Sequence, residues 1–160
     1  MSEAITVRLR CGDPPACGEA GMAGCIFCDI VAGRTPASVV YEDQTAVAFL
    51  DLFPVHQGHT LVIPREHWAD LTACDPAVAG HLMQVSAALG PRLVRALSAD
   101  GYNVWTANGA AAGQQVFHLH LHLLPRFETD EFGLRFPKNY PRAADRAALD
   151  ELSGRIRATA

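Results

Sequence analysis

The chain has 160 residues, of which 49% are hydrophobic and 19% are charged. A chain of this length and composition can bury one substantial core, so we expect a single globular domain. The formal net charge of −4 argues against a broad surface for nucleic acid or for an anionic membrane, although a small phosphate pocket needs only a few local donors. Any phosphate ligand should therefore be small.

The first residues lack the pattern of a folded element or of a targeting signal. Residues 1–21 are rich in glycine, proline and small side chains without a sustained period, which predicts a disordered extension. They contain no apolar stretch of signal-peptide length, and no later run approaches the ~18 apolar residues that a membrane span needs. We therefore expect a cytoplasmic protein without a membrane partner.

The next part of the chain predicts strands and then a helix. Three β-branched or aromatic stretches indicate a meander of strands at Val39–Tyr41, Thr45–Leu50 and His59–Ile63. Asp75 and Pro76 are typical of a helix N-terminus, and apolar residues follow them at helical spacing. This predicts a core-facing helix, which Leu89–Pro91 should bend or break because proline removes a backbone donor.

The last part of the chain predicts two strands and a helix. The strands are expected at Tyr102–Ala107 and Val116–Leu124. A terminal amphipathic helix is indicated by the spacing of Leu149, Leu152 and Ile156. Strands and helices do not alternate strictly, which favours an α+β fold with an antiparallel sheet of about five strands, one long helix and a C-terminal helix. We assign residues 22–126 to the main domain and residues 127–160 to a tail that carries the last helix.

Three histidines occupy alternate positions in "HLHLHLLPR", which begins at His118. In a strand His118, His120 and His122 share one side, and the apolar residues between them pack on the core. This pattern could form a three-nitrogen metal site, a nucleophile with its helpers, or a structural cluster. His118 and His122 would lie about 13 Å apart along a straight strand, which suits two functions better than one ion.

Two of the five cysteines, Cys25 and Cys28, have a spacing that points to chemistry. In a reducing compartment this C-x-x-C predicts half of a zinc site or a pair of free thiols, and a redox pair would need a thioredoxin-like setting that is absent from the predicted elements. His67 and one of the triad histidines are candidates for two further zinc ligands. The alternatives are that His67 is an exposed loop residue and that the thiols bind no metal.

The segment "GQQVFHLHLHLLPR" resembles the signature of the histidine triad (HIT) superfamily, in which apolar residues separate three histidines after a Gly-Gln turn. The upstream run "FCDIVAGRTPASVVYEDQTAVAFLDLFPVHQGHTLVIPREH" resembles the first half of the same family. The likeness covers Cys25 to Arg126 and is greatest to the zinc-carrying, Hint-like bacterial branch. It implies a nucleotide-binding α+β fold and a homodimer.

The resemblance implies attack on the α-phosphate of a purine nucleotide. His120 matches the nucleophile, which forms a nucleotidyl-histidine that water then hydrolyses, and His122 matches the partner that contacts phosphate oxygens. Neutral imidazole is a competent nucleophile, and a covalent intermediate divides one hard displacement into two. Charge on the phosphoryl oxygens needs donors, which we expect from the backbone amides of Gly113, Gln114 and Gln115.

Further positions match the nucleotide-binding residues of the family. Asp51 matches the residue that holds the ribose hydroxyls, His59 matches one that faces the phosphate, and the base is expected among Phe27, Ile30 and Leu52. The alternatives are core packing for Phe27 and Ile30, a turn cap for Asp51 and a structural role for His59. Two departures from the family pattern leave the leaving-group preference open. The first is Ala107, beside which Asn108 is the candidate contact. The second is Gln115, which stands in place of a small hydroxyl residue.

The resemblance also implies a structural zinc ion held by Cys25, Cys28, His67 and His118, since four protein ligands leave no position for water. It leaves His120 and His122 for catalysis. The expected substrate is a nucleoside phosphoramidate or an acyl adenylate. The alternatives are a hydrolase of dinucleoside polyphosphates such as diadenosine tetraphosphate, and a nucleotide-binding adaptor with vestigial activity.

Overall fold

The computed structural model describes residues 24–133, 138 and 140–159, so the predicted N-terminal extension lies outside the described residues. The helices are α1 (Ile26–Val31), α2 (Pro76–Leu97) and α3 (Arg146–Arg157), and the strands are β1 (Val39–Glu42), β2 (Ala46–Leu50), β3 (Thr60–Pro64), β4 (Gly101–Trp105) and β5 (Leu121–Arg126). The described residues up to Asp130 form one compact unit, and those from Glu131 form a second unit that contains α3.

The five strands form one sheet in the order β1-β2-β3-β5-β4, with all neighbours antiparallel. The predicted α+β fold is confirmed. Alternate residues of β2 and β3 enter two separate core clusters, because side chains of a strand point to opposite faces of a sheet. The cluster that includes Ala48 and Val62 packs against α2, and the cluster that includes Phe49 and Ile63 packs against Phe27 of α1.

Helix α2 begins where its sequence predicts. The Asp75 side chain accepts a hydrogen bond from the amide of Ala77, and Pro76 occupies the first turn. A break at Leu89–Pro91 is wrong, because the helix continues through Pro91 to Leu97, and the bend expected there stays a prediction. The Pro91 ring is exposed, and buried Leu89 and half-buried Leu93 pack on the core on either side of it, which offsets the missing backbone donor.

The histidine segment is less regular than its alternation predicts. The ladder of β5 begins at Leu121 instead of Val116, so His118 and His120 precede the strand. Backbone groups of this segment have partners outside the ladder: the Leu119 amide donates to the Trp68 carbonyl, and the Thr106 hydroxyl donates to the His120 carbonyl. The side chains still alternate, since Leu119, Leu121 and Leu123 enter the core beneath α2.

No helix among the described residues is both long enough and apolar enough to cross a membrane.

Replacing Gly90 with alanine tests the contact between α2 and β4. A Cβ at Gly90 would lie 2.2 Å from the Tyr102 ring, so Gly90→Ala should lower the free energy of unfolding by about 2 kcal/mol. Gly80→Ala in the same helix is the matched control, because its Cβ meets nothing within 4 Å and should stabilise the helix by up to about 1 kcal/mol. Urea unfolding measures both changes, and equal stability of the two variants would contradict the contact.

Candidate metal and phosphotransfer site

Two cysteines and two histidines from separate parts of the chain meet on the α1 side of the sheet. Cys25 directly precedes α1 and Cys28 lies in its first turn, while His67 follows β3 and His118 precedes β5. The distances from Nδ1 of His118 are 3.5 Å to Sγ of Cys25 and 3.6 Å to Sγ of Cys28. Nδ1 of His67 lies 3.3 Å from Sγ of Cys28. The four potential ligand atoms all lie within 4.8 Å of one another.

These distances fit a tetrahedral metal site. A zinc ion with Zn–N near 2.0 Å and Zn–S near 2.3 Å separates nitrogen and sulfur ligands by about 3.5 Å. Nε2 of His118 donates to the Pro64 carbonyl at 3.0 Å, which leaves Nδ1 with a lone pair directed at the thiols. Burial lowers the pKa of His118 to about 4, so the ring is neutral at pH 7, as a metal ligand must be. The four residues therefore suit a closed structural site.

His120 lies between this cluster and the rest of the site. Its Nδ1 is 2.7 Å from the backbone carbonyl of His118 and must carry a proton, because a carbonyl can only accept. Nε2 therefore keeps a free lone pair. The ring is buried, and Phe27 packs edge-on against the rings of both His118 and His120. This tautomer is the one that a nucleophilic imidazole requires.

His59 and His122 form a hydrogen-bonded pair beside His120. Nε2 of His59 lies 2.9 Å from Nδ1 of His122, and the Val55 amide donates to Nδ1 of His59 at 3.3 Å. Since that amide can only donate, His59 carries its proton on Nε2 and gives it to His122, which leaves a proton on Nε2 of His122. Burial lowers the pKa of His59 and lowers that of His122 to about 4, and Asp51 opposes both shifts.

Asp51 extends this pair into a linear chain of polar groups. Its Oδ2 lies 3.4 Å from Nδ1 of His59, on the opposite edge of the ring from His122. The three side chains could be read as a second metal site, since their ligand atoms lie within 4.8 Å of one another. The two short contacts use different nitrogens of His59, Nδ1 toward Asp51 and Nε2 toward His122, so the three groups also follow one another as a chain.

The residues expected around the nucleoside differ in exposure. Oδ1 of Asp51 accepts from the Phe53 amide, as in the turn-cap alternative, and Oδ2 remains at the site. Leu52 beside it is 83% exposed and is available to a ligand. Phe27 is buried in the α1 core cluster, and half-buried Ile30 packs against the same cluster, so core packing accounts for both.

In the loop before His118, two of the three backbone amides expected to bind phosphate donate hydrogen bonds within the loop. The amides of Gly113 and Gln114 donate to the carbonyls of Ala110 and Gly109, and their expected role toward a phosphate stays a prediction. Among the described residues, no backbone partner of the Gln115 amide is found, and its role toward a phosphate also stays a prediction. Asn108 is exposed, and its Oδ1 accepts from the Leu71 amide.

Trp105, the last residue of β4, is a neighbour of the site that its sequence does not predict. Trp105 is paired with His122 in the register of β4 and β5, and the two rings are stacked with centroids 4.8 Å apart. The signal was present in the aromatic residue at the end of a predicted strand, but the register between the two strands was needed to place it.

The fold and the site together define an α+β protein with a cluster of three histidines next to a Cys/His cluster. A family profile described as the HIT domain matches residues 32–129, and the chain belongs to the HIT family. Among curated relatives it is 38% identical over 106 residues to the adenylylsulfatase HINT3 of Arabidopsis thaliana, covering 66% of this chain and 54% of that protein.

Solved structures support the same membership. SMU.412c from Streptococcus mutans is similar with a TM-score of 0.82 and 40% identity, covering 89% of this chain and 88% of that one. A Zn-bound histidine triad family protein from Mycobacterium smegmatis has a TM-score of 0.67 and 38% identity, covering 82% of this chain and 97% of that one.

Gln114 is expected to support the loop and not to bind a ligand. Its buried side chain accepts from the Gly109 amide and donates to the carbonyls of Ala69 and Val116. Gln114→Ala leaves these groups without partners and should lower the free energy of unfolding by about 2 kcal/mol or more. The exposed neighbour provides the control, since Gln115→Ala should change stability by less than about 0.5 kcal/mol. Equal unfolding midpoints in urea would refute this assignment.

Proposed function

We propose that the protein is a nucleotidyl hydrolase or transferase that cleaves a purine nucleotide conjugate at the α-phosphate through His120. The observation that carries this proposal is the tautomer of His120, whose Nδ1 is bonded to the His118 carbonyl and whose Nε2 lone pair is left for attack. The same carbonyl can stabilise the positive charge that the ring acquires when Nε2 bonds to phosphorus.

The reaction is divided into two displacements. Nε2 of His120 attacks the α-phosphorus, the bond to the leaving group breaks, and the leaving group takes a proton from Nε2 of His122. Water then attacks the same phosphorus, the bond to His120 breaks, and the proton of the water returns to His122. The products are a nucleoside monophosphate and the protonated leaving group, and both histidines are regenerated.

The chain of Asp51, His59 and His122 supports the acid role of His122. A neutral imidazole is a weak acid, but an anionic phosphate beside the His59–His122 pair favours uptake of one proton from solvent. The added proton can bind Nδ1 of His59, which then faces Oδ2 of Asp51, 3.4 Å away, instead of accepting from the Val55 amide, and the Nε2 proton of His59 passes to Nδ1 of His122. The charged pair would form on substrate binding and not in the free protein, where burial opposes it.

The nucleoside would lie beside this chain of polar groups. Oδ2 of Asp51 can accept more than one hydrogen bond, so it suits the ribose diol while it faces His59, and exposed Leu52 offers an apolar surface to a purine. His59 would act through His122, and Phe27 and Ile30 would support the site from the core. The Gln115 amide is the candidate loop donor to phosphate oxygens. Assembly as a homodimer and a cytoplasmic location stay predictions from the sequence.

Zinc is proposed as a structural cofactor held by Cys25, Cys28, His67 and His118. The proposal is supported by the donor set, by the separations of 3.3 to 3.6 Å among nitrogen and sulfur atoms, and by the Zn-bound relative. When bound, the ion would join α1 to the segments that precede and follow the core strands, and would contribute to stability without activating water.

The substrate class is proposed as adenylates with a nitrogen, acyl or sulfate leaving group. The name of the Arabidopsis relative favours adenylyl sulfate among them, since that protein is an adenylylsulfatase. A hydrolase of dinucleoside polyphosphates and a nucleotide-binding adaptor remain the alternatives, and they give different results in the following experiment.

His120→Ala should lower turnover at least ~10²-fold, because it removes the nucleophile. Release of AMP is measured from adenosine 5′-phosphoramidate, adenylyl sulfate and diadenosine tetraphosphate. His81→Ala is the control, because His81 lies on α2 and pairs with Asp43 outside the site. Turnover of the tetraphosphate alone would favour the first alternative. Tight AMP binding without His120-dependent turnover would favour the adaptor and overturn the proposal.

Cys28→Ser should reduce bound zinc well below the expected value of about one ion per chain, since a hydroxyl is a poor zinc ligand. Cys74→Ala is the control: Cys74 is also buried, but it lies in the α2 core cluster, and its variant should keep its zinc. Metal content is measured after dialysis. The thermal midpoint of unfolding is measured as well, and removal of zinc by a chelator should lower it by about 3 °C for each kcal/mol of lost stability. Equal zinc content in the two variants would contradict the ligand assignment.

A further inference from the structure

Trp105 is the aromatic neighbour of His122 across the sheet. In the antiparallel pair of β4 and β5 the two residues lie directly opposite each other, so their side chains leave the same face of the sheet. Their rings are nearly parallel, with an interplanar angle of 13° and centroids 4.8 Å apart. Half-buried Trp105 therefore covers one face of the His122 imidazole.

The other neighbours of His122 restrain different motions of the same ring. His59 holds the Nδ1 edge through the 2.9 Å hydrogen bond, which opposes a flip of the ring. His120 approaches at 69° with centroids 4.8 Å apart, on the side where the proposed nucleophile lies. His59 is also stacked on His122, with an interplanar angle of 26° and centroids 5.1 Å apart, so the indole, at 13° and 4.8 Å, is the closer and more nearly parallel of the two rings that define the plane of the imidazole. The Nε2 edge of His122 is left for the leaving group.

The chemistry of the indole face adds a second effect. When the His59–His122 pair takes up a proton, a positive charge spreads over the His122 ring. The face of an indole attracts a cation more strongly than any other side-chain ring, and an aliphatic residue of similar size offers no such attraction. Trp105 thus suits both the resting ring and its charged form.

We propose that Trp105 is a positioning residue, which keeps the His122 ring in the plane that directs Nε2–H to the leaving group and stabilises that ring while it carries a proton. This inference rests on the proposed function for its catalytic consequence. The stacked geometry itself does not depend on the reaction, which allows the two ideas to be tested separately.

The test compares Trp105→Phe, which keeps an aromatic face, with Trp105→Leu, which removes it. For the ring itself, ¹⁵N-labelled histidine NMR at pH 7 should show His122 with its proton on Nε2 in the wild type and in Trp105→Phe. Trp105→Leu should show a mixture of the two tautomers, because the ring can then turn away from His59. An unchanged tautomer in Trp105→Leu would overturn the positioning role, whether or not any substrate is cleaved.

Two substrates with different leaving groups test the consequence for catalysis. An amine leaving group needs a proton, so Trp105→Leu should lower kcat on adenosine 5′-phosphoramidate about tenfold, while Trp105→Phe recovers most of the loss. Sulfate needs no proton, so kcat on adenylyl sulfate should change less than about twofold in the same variant. KM should stay nearly constant for both substrates.

The outcomes separate the two proposals. Equal losses on both substrates, or no rescue by phenylalanine, would assign Trp105 a merely structural role and overturn the inference. A wild-type protein that cleaves neither substrate would contradict the proposed function, and the NMR comparison would then decide alone whether Trp105 positions His122. Unfolding midpoints of the two variants provide the stability control.

Discussion

His118 links the Cys/His cluster to His120, so the two parts of the site depend on each other through this residue. Its Nε2 donates to the Pro64 carbonyl, so Nδ1 faces the thiols of Cys25 and Cys28. Its own carbonyl accepts from Nδ1 of His120. A carbonyl can only accept, so each ring is held in one tautomer. The orientations of the proposed metal ligand and of the proposed nucleophile are thus both set by backbone carbonyls.

The period of two along β5 explains how a polar site can lie on a rigid element. Leu119, Leu121 and Leu123 enter the core beneath α2, and the histidines between them therefore face α1 on the other side of the sheet. The apolar residues supply the burial energy that holds the segment in place, while the histidines contribute little to it. The leucines of this segment thus hold in place the histidines that lie between them.

Burial allows several imidazoles to lie in one small site. It lowers the pKa of His118 and of His122 to about 4 and also lowers that of His59, so these rings are neutral at pH 7 and do not repel one another. A neutral ring has one donor and one acceptor, which permits a hydrogen-bonded chain of rings. In the proposed reaction an anionic ligand would favour a proton on this chain of rings, and binding of phosphate would then supply the acid.

The sequence by itself determined the α+β class, the start of α2 at Pro76 and the residues that meet in both clusters, because periodicity, caps and a resembling motif are properties of local segments. Only the tertiary structure decided that α2 continues through Pro91, since packing on the core offsets a local penalty. It also decided that β5 begins at Leu121, because the preceding backbone bonds to groups far away in the chain. The stacking of Trp105 on His122 depends in the same way on strand register, which no single segment contains.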